Sequence, residues 1–126
     1  MTQWALVVRQ FGEQLGMPEL IPSVDGQFAL QLESGRRIAA EAVGSEFLVY
    51  ASDPAPYESA RRLLRLWRNA YVTRLESRPI QAALREHDGS VRLLAVVRLQ
   101  ASECSVYALR AAIDLVSRCL DGAQDH

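Results

Sequence analysis

The chain has 126 residues, 49% of them apolar and 23% charged, an ordinary globular composition that fits one domain, 1–126, burying roughly two-thirds of its unfolded surface. Its formal net charge is −1, with 15 acidic residues against 14 basic ones, which argues against both a strongly basic nucleic-acid binder and a strongly acidic protein. No apolar run reaches membrane-spanning length, and the short one in MTQWALVVRQ is interrupted by Arg9 with no basic region ahead of it, so neither a bilayer span nor a signal peptide is expected.

Trp4, Val7, Val8, Phe11 and Leu15 recur at the spacing of one helical face, with Thr2 available as an N-cap and Gly16 and Pro18 as a stop. The period then changes to alternation. Phe28, Leu30 and Leu32 point one way and Ala29 and Gln31 the other, which predicts a strand. Ser34-Gly35 turns the chain into a second strand over 37–43, and Gly44-Ser45 turns it into a third over 47–51, so the simplest topology is a three-stranded antiparallel meander. Ser52-Asp53-Pro54-Ala55-Pro56 has the chemistry of a helix start, with Ser52 or Asp53 as cap. The second helix presents Ala60, Leu63, Leu64, Trp67, Tyr71 and Leu75 on an apolar face, Arg61, Arg65 and Arg68 on another, and stops at Arg78-Pro79. Two strand-like runs, 80–86 and 91–99, flank His87-Asp88-Gly89-Ser90, whose Asp-Gly pair predicts a hairpin; the first arm, QAALRE, could equally extend a helix on propensity alone, whereas the alternation of Val91, Leu93, Ala95, Val97 and Leu99 marks the second as a strand. A third helix, capped by Ser102 and ending near Gly122, lines up Val106, Leu109, Ile113, Val116 and Leu120, with Arg110, Asp114 and Arg118 spaced for ion pairs. The fold class is therefore α+β: helix, three strands, helix, two strands, helix.

No convincing catalytic set is visible, so the chain is not expected to be an enzyme. His87 falls in the hairpin turn and His126 is the last residue, a poor basis for a metal or proton-relay site. Asp25-Gly26 and Asp88-Gly89 lack the closely spaced further oxygen ligands that calcium requires, so they read as turns and no metal is expected. There is no lysine, hence no phosphate-cradling glycine loop of the usual kind, and no cofactor is expected. Cys104 and Cys119 are about four helical turns apart along or beside one helix, too far to bridge, and read as reduced packing residues. Arg61, Arg62, Arg65 and Arg68 invite a nucleic-acid reading, but no stacking aromatic is interleaved among them, and a solvated face or protein contact is the plainer one. Trp67 and Tyr71, one turn apart, suit either the core or a subunit contact.

In FGEQLGMPEL, where a helix ends in Leu-Gly and passes through proline to a leucine, in the strand-turn-strand LQLESGRRIAAEA, and in FLVYA followed by a proline-rich segment, the chain resembles the class I type III secretion chaperones, the family of the Tir chaperone, over nearly its whole length. The resemblance implies a cytoplasmic bacterial protein, a homodimer or a heterodimer with a related chaperone, that binds an extended segment of a secreted effector or secretion regulator and keeps it soluble. It implies a dimer interface at Leu63, Leu64, Trp67, Tyr71 and Ile80, and a partner groove with Val8, Phe11, Leu15, Leu30 and Leu48 as candidates. It implies no nucleotide, nucleic acid or membrane. The near-neutral charge and the arginine-rich second helix depart from that family's usual acidity. The alternative expectation is a nucleic-acid-binding or transcription-regulating module that uses those arginines.

Overall fold

The computed structural model describes residues 2–76 and 79–124. Helix α1 spans Gln3–Gln14, and its first turn is closed by Thr2, whose Oγ1 accepts from the Ala5 N–H at 3.1 Å and donates to the Val24 carbonyl at 2.9 Å. Gly16, at φ +72°, ends it in the left-handed conformation, and the Met17 N–H turns back onto the Gly12 carbonyl at 2.8 Å. Val7, Val8 and Phe11 are the buried apolar stripe that the sequence period implies.

Among the described residues five strands form one antiparallel sheet: β1 (Phe28–Gln31), β2 (Arg37–Val43), β3 (Glu46–Pro54), β4 (Gln81–His87) and β5 (Ser90–Gln100), in the order β1-β2-β3-β5-β4. The meander and the hairpin are those expected from the sequence. Asp88 at φ +49° and Gly89 at φ +78° make the hairpin turn, the backbone signs that an Asp-Gly pair supplies at low cost. Alternation decides the faces: Phe47, Val49 and Ala51 of β3 and Leu93, Ala95, Val97 and Leu99 of β5 are fully buried, while the residues between them face the other way.

Two element starts differ from expectation. Ser52, Asp53 and Pro54 continue β3 instead of capping a helix, because Asp53 pairs with Leu93 and its carboxylate is captured by Arg36. The Ala55 N–H donates to Val91, so the missing N–H of Pro54 falls on the β2 side, where pairing has already stopped at Arg37 and Ser52. Helix α2 accordingly begins at Ser59 and runs Ser59–Glu76. Ser102 lies in a short 3-10 turn, Ala101–Glu103, and the cap of helix α3 (Val106–Gly122) is Ser105, whose Oγ accepts from the Ala108 N–H at 3.0 Å.

The single apolar face expected of α2 is divided in two. Leu66 and Ala70 are buried and Leu63 packs on the core, whereas Ala60, Leu64, Trp67 and Tyr71 look outward. The Leu75 side chain and Arg78 lie outside the described residues, as does His126. Helices α2 and α3 pack on the sheet and on each other, and α1 packs on α3, so the core is one layer of helices over one sheet face. Leu109, Val116 and Leu120 of α3 are fully buried there, each worth about 1.5–3 kcal/mol of transfer free energy.

Candidate partner-binding cleft

The end of α1 does not close against α3. Between them lies a cleft of about 870 Å³ whose apolar walls are Phe11 of α1, Leu15 and Met17 just after it, Leu30 and Leu32 on and after β1, Ile38 of β2, and Val106 and Ile113 of α3. Gln14, Arg110, Asp114 and Ser117 supply polar groups among these walls. Leu15 and Leu32 remain 45% and 44% exposed, so the cleft is an uncovered apolar surface and not a core defect. Tyr107, at 84% exposure, stands beside it.

Of the five groove candidates, Phe11, Leu15 and Leu30 meet in this cleft. Val8 is fully buried in the core one turn below, and Leu48 is half-buried on the opposite face of the sheet. Of the interface candidates, Leu64, Trp67 and Tyr71 form an exposed stripe, at 47%, 57% and 54%, in which the two rings stack with centroids 6.1 Å apart. Leu63 is half-buried against the core and Ile80 is buried.

One end of the cleft is braced by a group that sequence reasoning did not single out. Arg36, in the turn before β2, donates to both carboxylate oxygens of Asp53 at 2.7 and 2.9 Å, pairs with Asp121 at 2.8 Å, and donates to the Ser117 carbonyl at 3.2 Å. It is buried, as is Asp53. The Asp53 hydrogen bonds hold the Arg36 guanidinium above its ordinary range, against the opposing pull of burial. One cation thereby ties the meander to the last turns of α3, and so fixes how far that wall stands from Ile38.

Three of the α2 arginines are committed within the chain. Arg61 pairs with Glu58 at 3.2 Å, Arg62 donates to the Pro54 carbonyl at 2.9 Å, and Arg65 donates to the Gln124 carbonyl at 3.5 Å. Neither Cys104 nor Cys119 is in a disulfide, and burial pushes the Cys104 thiol up, away from the reactive thiolate. Among the described residues, no group of three His, Cys, Asp or Glu side chains is placed to hold a metal ion, and no helix is long and apolar enough to cross a membrane.

Neither a known family profile nor a curated protein sequence matches the chain. Solved structures do. A chain of the HopA1-SchA chaperone-effector complex is similar at a TM-score of 0.70 with 15% identity, over 95% of this chain and 91% of that one. The type III secretion chaperone SycH of Yersinia pestis, solved with a stable fragment of YscM2, is similar at 0.59 with 17% identity, over 94% and 98%. YbjN from E. coli, described as a putative transcription regulator, is similar at 0.60 with 18% identity, over 90% and 85%. The chain has the fold of the class I type III secretion chaperones, at identities that speak for the fold alone.

Proposed function

We propose that this protein is a cytoplasmic bacterial chaperone of the type III secretion class, a single-domain subunit that binds an extended segment of a secreted effector or secretion regulator and keeps it soluble. The observation that carries the reading is the open apolar cleft between α1 and α3, on a fold shared with SycH and the HopA1-SchA complex. An extended segment fits such a site because alternate side chains enter apolar pockets while the backbone stays paired or hydrated. Leu15 and Leu32, too exposed to repay much in folding, gain their burial when a client covers them. The client meanwhile is held short of its folded state, its own apolar side chains masked from aggregation. No step of this needs a nucleophile, nucleotide or metal.

The stripe of Leu64, Trp67 and Tyr71 supports a dimer through α2, since stacked aromatics at more than half exposure suit the centre of an interface. Co-expression with polypeptides encoded beside its gene tests the whole reading. A protected, extended client fragment should co-purify and be lost with Leu15→Glu, and Trp67→Glu should convert a dimer to a monomer in sedimentation. A monomeric native protein that retains no client segment refutes it.

A second reading rests on the likeness to YbjN: a transcription-regulating module that contacts nucleic acid. Against it stand Arg61, Arg62 and Arg65 of α2, whose hydrogen bonds already go to Glu58, Pro54 and Gln124. Affinity for duplex DNA that falls steeply with salt would favour this second reading over the first.

A further inference from the structure

All three helices lie over one face of the sheet, and among the described residues nothing covers the other. The strand register brings Tyr50 beside Val96, and Leu94 one row along, so half-buried apolar groups occupy the middle of that open face. Its two ends differ in charge. At one end Arg98 is paired with Glu46 at 3.1 Å, and Glu41 stands nearby on β2. At the other end three arginines gather, none of them in an ion pair among the described residues. Arg85 sits directly opposite Arg92 across the β4–β5 pair, a like-charge juxtaposition that costs stability. Arg92 donates to the Ser52 Oγ at 2.9 Å and to the carbonyls of Ser52 and Gly35 at 2.9 and 2.8 Å, all neutral acceptors, so its guanidinium is aimed but not neutralised. Arg37 reaches only the Gln31 Oε1, at 2.7 Å, and Arg85 makes no hydrogen bond or ion pair among the described residues. Asp53, the acid whose field reaches Arg92, spends both carboxylate oxygens on Arg36. Burial and the field of Arg37 together pull Arg92 below its ordinary range, as expected of a cation short of counter-charge.

We propose that this open face is a second docking surface, for a short acidic polypeptide segment whose carboxylates meet Arg37, Arg85 and Arg92 and whose apolar side chains lie over Tyr50, Leu94 and Val96. Guanidinium forks suit carboxylates in bidentate geometry, and a chain that alternates acidic and apolar residues matches the spacing of a pleated surface. A second copy of this protein is a poor occupant, because a two-fold contact would set the same arginines against themselves. Nucleic acid is also a poor one. A long polyanion would run onto Glu41 at the far end, and the face offers one aromatic ring, not a series of stacking platforms. The surface lies on the opposite side of the sheet from the cleft, and the proposal stands whether or not the cleft holds a client.

Fluorescence anisotropy of the whole chain with a labelled synthetic peptide of alternating aspartate and leucine tests it. The peptide should bind, more weakly as salt rises, and R37Q/R85Q should bind it about tenfold less tightly or worse. R85Q alone, which has no internal bond to lose, should show part of that loss while keeping the native circular dichroism. R9Q, the same change of net charge on the exposed side of α1, should bind like the wild type. The proposal is overturned if a lysine-for-aspartate peptide binds equally well, if oligothymidylate binds more tightly than the acidic peptide, or if R9Q loses as much as R85Q.

Discussion

Replacing Asp53 by asparagine keeps the shape of the side chain and removes the charge that holds Arg36. The pair is well desolvated, with side chains 10% and 9% exposed, and its two contacts at 2.7 and 2.9 Å are bidentate. Breaking such a pair from one side costs about 3–5 kcal/mol, chiefly because the remaining ion is left buried without its counter-charge. Asp121 still touches Arg36 at 2.8 Å but is itself 60% exposed and solvent-screened, so the cost should fall near the lower figure. About 3 kcal/mol corresponds to a drop in Tm of roughly 10 °C for a chain of this size. Asp121→Asn should cost under about 1 kcal/mol. In R36M/D53N no buried cation is orphaned, so the double variant should be more stable than the sum of its singles predicts. Urea unfolding followed by circular dichroism reads the wild type, D53N, D121N, R36M and the double variant. The reasoning fails if D53N is no more harmful than D121N, or if the two single costs simply add.

Gly26 sits at φ +91°, where an added Cβ would meet the Trp4 Cβ at 2.9 Å, so Gly26→Ala should destabilise by more than about 1 kcal/mol in the same assay, while Gly44→Ala, with open space around it, should cost less. Burial, and then Glu41, hold the Tyr50 phenol above its ordinary value. Its neutral form therefore adds stability that is complete below pH about 10 and is lost as pH climbs through the raised value, and Tyr50→Phe should remove that part of the alkaline decline in urea midpoints. Alkylation should find Cys104 slower than a free model thiol at mildly alkaline pH, because burial raises it, and should reach Cys119, 3% exposed, only on unfolding; equal labelling of both in the native protein would contradict the packing described.

The sheet was legible in the sequence because alternation in 91–99 and the Asp-Gly turn are local signals with one physical reading. The end of β3 was not. Ser-Asp-Pro is genuine cap chemistry, and only the approach of Arg36 from 17 positions upstream diverts the carboxylate into the strand. The same distinction separates the two faces of α2: Leu63, Leu64, Leu66 and Trp67 are all apolar and adjacent on the helical wheel, and which of them is covered depends on where α3 lies. The cleft follows the same rule. Phe11, Leu15 and Leu30 belong to elements whose periods are plain, but their meeting with Val106 and Ile113 is a product of tertiary packing, which no single stretch encodes. Arg36 carried a faint signal, one of two consecutive arginines entering a strand, of which alternation must turn one inward.

The bond from Arg36 to Ser117 spans 81 positions, and α3 covers the core faces of β3 and β5. A growing chain that has finished its hairpin therefore still exposes the buried rows of two central strands, and stays so until residues near Leu120 have been made. For a protein read as a guardian of aggregation-prone polypeptides, this makes its own nascent chain one of them: shortening α3 should yield inclusion bodies, with or without a client present.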